Sequence, residues 1–228
     1  LRTPLNAIVG YSQLLCEELE EQSPEFAEDA RRIDAASRHL LGLINDLLDI
    51  SKIEAGTIAL LFEEFELREL LDQLRKTLEP LAKRAGNELT IHVTPEIRVI
   101  ESDRQRLQQV LLNLVGNACK FTENGTVEVR CDLTNDGERV IFVVKDDGIG
   151  MTPAALKRIF EPFVQVEGSA SRRRQGSGLG LMITKRLIEH LGGSINVESA
   201  PNRGSTFTFD LPLLGPGTAG KHTYRSLT

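Results

Sequence analysis

The stretch RVIFVVKDDGIGMT, residues 139–152, changes character at its midpoint. Val140 to Val144 is a short apolar run bounded by charged residues, which reads as a strand. A carboxylate, Asp146, closes the strand, and two glycines two residues apart, Gly148 and Gly150, follow it. Glycine lets a backbone pass close to a ligand, and a carboxylate at a strand end offers that ligand an acceptor. The pattern DxGxG is short, and a plain turn reads the same way.

Two flanking stretches add chemistry. In QQVLLNLVGNACKFT (108–122), Asn113 and Asn117 are four apart and share a helix face, with Lys120 and Phe121 one turn on. The rest of that helix, Val110, Leu111, Leu114, Val115 and Ala118, reads as core, so the two amides need partners. An internal hydrogen-bond pair would satisfy them. An amide oxygen is equally a competent magnesium ligand when phosphates complete the coordination. In RRRQGSGLGLMITKRL (172–187), Gly176, Gly178 and Gly180 lead into an amphipathic helix carrying Leu181, Ile183, Leu187, Ile188 and Leu191. Glycines ahead of a helix N-terminus make an anion site, and Arg172, Arg173 and Arg174 add positive charge; a solvated surface loop is the other reading. Neither the dinucleotide fingerprint nor the Walker A pattern fits this loop.

Outward from these sites the chain divides in three. Residues 1 to about 56 read as two helices joined through EEQSPE (20–25), with Leu5, Ile8, Leu15 and Leu19 striping the first. Pro4 suits only a helix start or a kink. The second helix carries Ile33, Leu40, Leu41, Ile44, Leu47, Leu48 and Ser51, an arc wider than one partner helix covers. Two such hairpins would bury both stripes as a four-helix bundle, which predicts a homodimer through residues 1–56. Folding back on the next domain is the alternative. From about 57 the spacing predicts a strand into a helix at 67–85, strands at 89–94 and 98–101, and a helix from Asp103, its N-cap, to Phe121. TVEVRCDL with RVIFVVKD, and SINVESA with STFTFDLP across Pro201–Gly204, read as antiparallel hairpins; helices are expected near 153–159 and 178–191. This is an α+β sandwich with helices on one face of a sheet. Residues 214–228 show no period and read as a linker or tail.

Bulk properties exclude several classes. A net charge of −6 argues against nucleic-acid binding. Cys16, Cys119 and Cys131 form no CxxC pair, and His39, His92, His190 and His222 are dispersed, which argues against a zinc site or a disulfide frame and suits a reducing cytosol. No apolar run is long enough to span a bilayer, so a cytoplasmic location is expected, with membrane contact only through a segment ahead of Leu1.

Taken in order, the motifs resemble the GHKL ATP-binding superfamily and, within it, the bacterial histidine kinases, over about residues 1–212. The helix 103–121 resembles the N box, DDGIG (146–150) the first glycine box, IFEPFVQ (159–165) the phenylalanine box, GSGLGL (176–181) the second glycine box, and GSTFTF (204–209) the last. The resemblance implies a dimerising hairpin, 1–56, then a GHKL/Bergerat ATP-binding domain, 57–213, using ATP and Mg2+. By the same resemblance Asp146 accepts the adenine amino proton, and Gly148 and Gly150 pass beneath the base. Asn117 holds the metal with Asn113 beside it, Lys120 meets the phosphates and Phe121 lines the pocket. Residues 164–176 form a lid from which Arg174 or a neighbouring arginine reaches the γ-phosphate; Gly176, Gly178, Leu179, Gly180 and Thr206 complete the site. Phe160 and Phe163 are either lid contacts or a core patch. ATP-hydrolysing relatives carry glutamate where Asn113 stands, so slow hydrolysis is expected.

LRTPLNAI (1–8) resembles the H box from its third residue, which places the acceptor histidine immediately before Leu1 and gives Thr3 the role of orienting water for dephosphorylation of a partner. That partner is a response-regulator receiver domain. Alternatives are a pseudokinase with a substituted acceptor, a non-catalytic docking module, and a serine-directed kinase of the anti-sigma type.

Overall fold

The computed structural model describes residues 2–19, 24–54, 59–164 and 178–215. They belong to two compact units, Leu1–Ile58 and Ala59–Thr228.

The first unit is a helical hairpin, α1 (Arg2–Leu19) against α2 (Pro24–Glu54). Pro4 falls in the first turn of α1, where a missing amide proton costs no helical bond. The hairpin seam closes over small side chains: Ser12, Ala27, Ala30 and Ser37 are buried. The large apolar residues are not. Ile8, Tyr11, Leu14 and Leu15 of α1, with Ile33, Leu40, Leu47 and Leu48 of α2, stand exposed in the single chain. Ile33, Leu40 and Leu47 repeat at seven residues, the spacing of a seam between helices.

The second unit is built on a five-stranded sheet of order β2-β4-β5-β7-β6. Its members are β2 (Glu88–Val93), β4 (Thr126–Leu133), β5 (Arg139–Asp146), β6 (Ser194–Ser199) and β7 (Ser205–Pro212). Both expected hairpins form, β4 with β5 and β6 with β7. β2 departs from the antiparallel pattern and runs parallel to β4, because a helical crossover carries the chain between them. That crossover holds β3 (Val99–Ser102) and α4 (Arg104–Phe121). β3 joins a small separate sheet with β1 (Glu63–Glu66), which strand patterning alone had not revealed.

Three helices, α3 (Leu67–Arg84), α4 and α6 (Gly180–His190), bury their apolar faces; α5 (Pro153–Arg158) is a short surface turn of helix with none. Leu70 and Leu74 of α3, Leu111 and Leu114 of α4 and Leu187 of α6 are fully buried, as are Phe142 and Phe209. Those two rings stack across β5 and β7 with centroids 4.6 Å apart. Asp103 caps α4 as its spacing predicts: Oδ1 accepts from the Arg106 amide at 3.0 Å. Its Oδ2 also accepts from the Leu61 amide at 3.0 Å, tying the chain ahead of β1 to the start of α4.

Residues 214 and 215, read from sequence as the start of the tail, lie among the described residues. Glu101 donates its amide to the Leu213 carbonyl and accepts the Gly215 amide on Oε2 at 3.0 Å, so residues 213–215 still belong to the sheet edge. Residues 216–228 lie outside the described residues. Cys119 and Cys131 are buried free thiols, pushed by that burial to about 11 and about 12. No helix among the described residues is long and apolar enough to cross a membrane.

The exposed stripe on α2 makes the homodimer testable. Leu40→Glu combined with Leu47→Glu changes only water-facing positions of the single hairpin, so folding persists while the dimer is lost. Light scattering should give a dimer mass for the parent and a monomer mass for the double variant; a dimer in both refutes the bundle.

Candidate functional site

Asp146 ends β5 and lies between Val127 of β4 and Ser205 of β7 in the sheet register. It is 7 % exposed. Its Oδ1 accepts two backbone amides, Gly148 at 2.9 Å and Ser205 at 3.2 Å. Burial pushes the carboxyl group above the usual carboxylate range, and those two hydrogen bonds pull in the opposite direction by favouring the ionised form. Both bonds land on Oδ1, which leaves Oδ2 to accept from a ligand.

The chain after Asp146 is a strap sewn on both sides. On one side Ile149 donates its amide to the Phe121 carbonyl at the end of α4, at 3.2 Å. On the other, Gly204 and Asn202 of the β6–β7 turn donate to the carbonyls of Gly148 and Ile149, at 3.0 and 2.7 Å. Gly148 is required by contact: a Cβ there would stand 2.4 Å from the Phe121 carbonyl oxygen and 2.7 Å from Thr122 Oγ1. Gly150 is required by conformation as well, with φ +61° and Ala200 O at 1.9 Å from the place of a Cβ. Thr122, 1 % exposed, meets no acceptor at full hydrogen-bond geometry among the described residues, but its hydroxyl lies near the Asp146 carboxyl group and helps to favour the ionised form.

The second half of the site lies further back on α4. Asn117 Nδ2 donates to Asn113 Oδ1 at 3.4 Å, and Asn113 Nδ2 donates to Thr184 Oγ1 of α6 at 2.7 Å. The internal pair therefore exists, and it turns the Asn117 carbonyl oxygen away from Asn113. Gly180 opens α6 directly against Asn113, whose Oδ1 would be 2.5 Å from a Cβ there. The Lys120 ammonium sits 5.2 Å from the Phe121 ring centroid; both residues are half-buried. Gly178, at φ +71°, accepts the Phe163 amide at 3.1 Å, and Leu179 beside it is buried. Among the described residues no group of three His, Cys, Asp or Glu side chains could hold a metal by itself.

Not every expected residue is brought to the site. Thr206 pairs with Lys145, while Ser205 pairs with Asp146. Strand side chains alternate between faces, and Ser205, Phe207, Phe209 and Leu211 share the buried side of β7, so Thr206 points to the opposite face. Ser205 takes its place. Phe163 is exposed at φ +60°, and Phe160 is half-buried with the Lys185 ammonium 5.4 Å from its ring centroid; neither forms a core patch. Arg172, Arg173, Arg174 and Gly176, with nearly all of the expected lid, lie outside the described residues, as does the side chain of Thr3 in α1.

Two residues gave no motif signal. Asp147 accepts both the amide and the hydroxyl of Thr126, at 2.8 and 2.9 Å, fixing the outer side of the strap. Buried Asn87 donates to the Cys119 and Thr122 carbonyls at 3.1 and 2.9 Å and accepts the Gly125 amide at 3.1 Å, clamping the end of α4.

Residues 102–215 match the model of the Histidine kinase-, DNA gyrase B-, and HSP90-like ATPase family, and residues 1–56 match the His Kinase A (phospho-acceptor) domain. The signal transduction histidine-protein kinase BarA of Escherichia coli (strain K12) is 40% identical over 218 residues, 93% of this chain and 23% of that protein. The chain thus spans about a quarter of that relative. The crystal structure of full-length ShkA in complex with AMPPNP superposes with a TM-score of 0.79 at 36% identity, covering 94% of this chain and 44% of that one. The histidine kinase ThkA in complex with the response regulator protein TrrA gives 0.63 at 25% identity, over 93% and 58%.

The strap geometry predicts the result of a small substitution. Gly148→Ala forces the strap off the Phe121 carbonyl, so affinity for ATP should fall at least tenfold in calorimetry, with far-ultraviolet circular dichroism unchanged. Parental affinity would show that the strap does not form the binding surface.

Proposed function

We propose an activity from one premise: this chain belongs to the histidine kinases, pairing a phospho-acceptor-type hairpin with a Histidine kinase-, DNA gyrase B-, and HSP90-like ATPase unit. The protein binds ATP with Mg2+ and transfers the γ-phosphoryl group to a histidine of the hairpin, from which an aspartate of a response-regulator receiver domain takes it. The observation that carries this reading is the buried Asp146 carboxylate, anchored through Oδ1 and able to accept through Oδ2.

An exocyclic amino group is a donor, so a base bearing one on its edge fits that free oxygen, and the glycine strap leaves room for its plane. The phosphates then extend toward Asn113, Asn117 and Lys120. Asn117 supplies one neutral oxygen, which suits magnesium, a hard cation that takes its remaining ligands from phosphate oxygens and water. The metal supplies charge neutralisation on the transferring group. Lys120 steadies the phosphates, Arg174 is assigned to the γ-phosphate by resemblance, and Thr3 is assigned to orient water when the receiver is dephosphorylated. Asn113 is an amide and takes no proton from water, so ATP is spared for the protein acceptor. Phosphoryl transfer asks mainly for positioning and charge stabilisation, which this set provides. The exposed stripes of the hairpin are covered by a second copy, and the regulator bound to the related ThkA supports a receiver domain as partner.

Transfer of label from γ-labelled ATP tests the reading, using the protein extended upstream of Leu1. Acid-labile, alkali-stable label is expected on the protein and is expected to be lost in Asp146→Asn. ATP binding without label on the parental protein would overturn the kinase assignment.

A further inference from the structure

The amide pair of α4 is held from a second helix. Thr184, in the second turn of α6 and 1 % exposed, sets Oγ1 2.7 Å from Asn113 Nδ2. The other end of the same amide, Oδ1, lies against Gly180, the first residue of α6. Leu179, the N-cap residue, offers no capping side chain, and the positive end of the α6 dipole there favours an oxygen over an amino group. Asn117 completes the row by donating Nδ2 to that oxygen at 3.4 Å. An asparagine amide has nearly the same shape either way round, and only its neighbours decide which end is which.

We propose that Thr184 is a positioning residue for the magnesium–phosphate end of the site: its hydroxyl anchors the Asn113 amide, the α6 N-terminus sets which end of that amide carries the oxygen, and together they hold Asn117 with its nitrogen inward and its oxygen outward. Were Asn113 reversed, its nitrogen would face Asn117, whose oxygen would turn inward to accept it. The outward atom would then be an amino group, which cannot bind a cation. Thr184 acts through two asparagines and touches no nucleotide. The inference rests on Asn117 being the magnesium ligand.

ATP binding by the full chain, followed by calorimetry across a magnesium titration, tests it. Thr184→Val keeps the shape and removes the hydroxyl. It should raise the magnesium concentration for half-maximal ATP binding about tenfold, within the range known for residues that orient metal ligands. ADP binding in EDTA, which needs no metal, should not change, and Thr184→Ser should restore the parental titration. A parental titration in Thr184→Val, or an equal loss with and without magnesium, overturns the proposal. Should Thr184→Val not fold, Asn113→Ala removes the same relay from α4 and must give the same magnesium-selective loss; a parental titration there overturns it equally. Asn117→Ala separates the two readings. If it leaves the magnesium dependence intact, the metal assignment itself fails; if it alone abolishes that dependence, only the role of Thr184 fails.

Discussion

A carboxylate taken out of water must be hydrogen-bonded or it will not stay ionised, and the nucleotide unit is arranged around meeting that demand at Asp146. Its Oδ1 takes one amide from two residues ahead and one from the neighbouring strand. The first requires the chain to double back at Gly148, in space that admits no Cβ. The second requires β5 and β7 to be in the register that sets Asp146 opposite Ser205. Gly204 follows from the same crowding: at φ +73°, a Cβ on it would stand 1.9 Å from the Asp146 carbonyl oxygen. One buried charge thus fixes a strand register, a turn and a strap.

Helix α4 connects this pocket to the rest of the chemistry. Its last carbonyls hold the strap and Asn87, while Asn113 and Asn117 lie one to two turns back on the same rod. A helix rises about 1.5 Å per residue, so the Asp146 end and the Asn113–Asn117 end are spaced by a rigid element and not by a loop. α6 fastens the far end through Thr184 and Gly180. In the hairpin unit the constraint is different: serine and alanine are buried in its seam, while Ile8, Leu14, Leu15, Ile33, Leu40, Leu47 and Leu48 are exposed, which makes a second copy the natural cover.

Much of this was legible in the sequence, because the signals were local. The Asp103 cap, the helical stripe of α4 and both hairpins each depend on residues close in the chain, and glycines 148 and 150 were legible because they stand in a short motif directly after a strand. What escaped depended on pairing across distance. The small β1–β3 sheet and the parallel β2–β4 pair need partners brought together by a crossover. The last glycine box points to Thr206, whereas the register sets Ser205 beside Asp146: the box gives a motif but not a face, and a slip of one residue in a strand reverses the face. Asn87 and Asp147 act through backbone groups 21 to 38 residues away, and no spacing rule reaches that far. Thr184 carries no signal of its own within an amphipathic helix; only the fold sets its hydroxyl against Asn113.

The central claim is that Asp146 selects a base by its amino group, and the most direct measurement compares ATP with ITP, which carries an oxygen where adenine carries that group. A site built around a hydrogen bond rejects an analogue that leaves its buried polar atom unpaired, by several orders of magnitude in favourable cases. Calorimetry should show ITP binding at least a hundredfold more weakly than ATP, and losing more of its binding as rising pH ionises Asp146. Equal affinity for the two nucleotides would contradict the account, because the carboxylate would then be holding the strap and not reading the base.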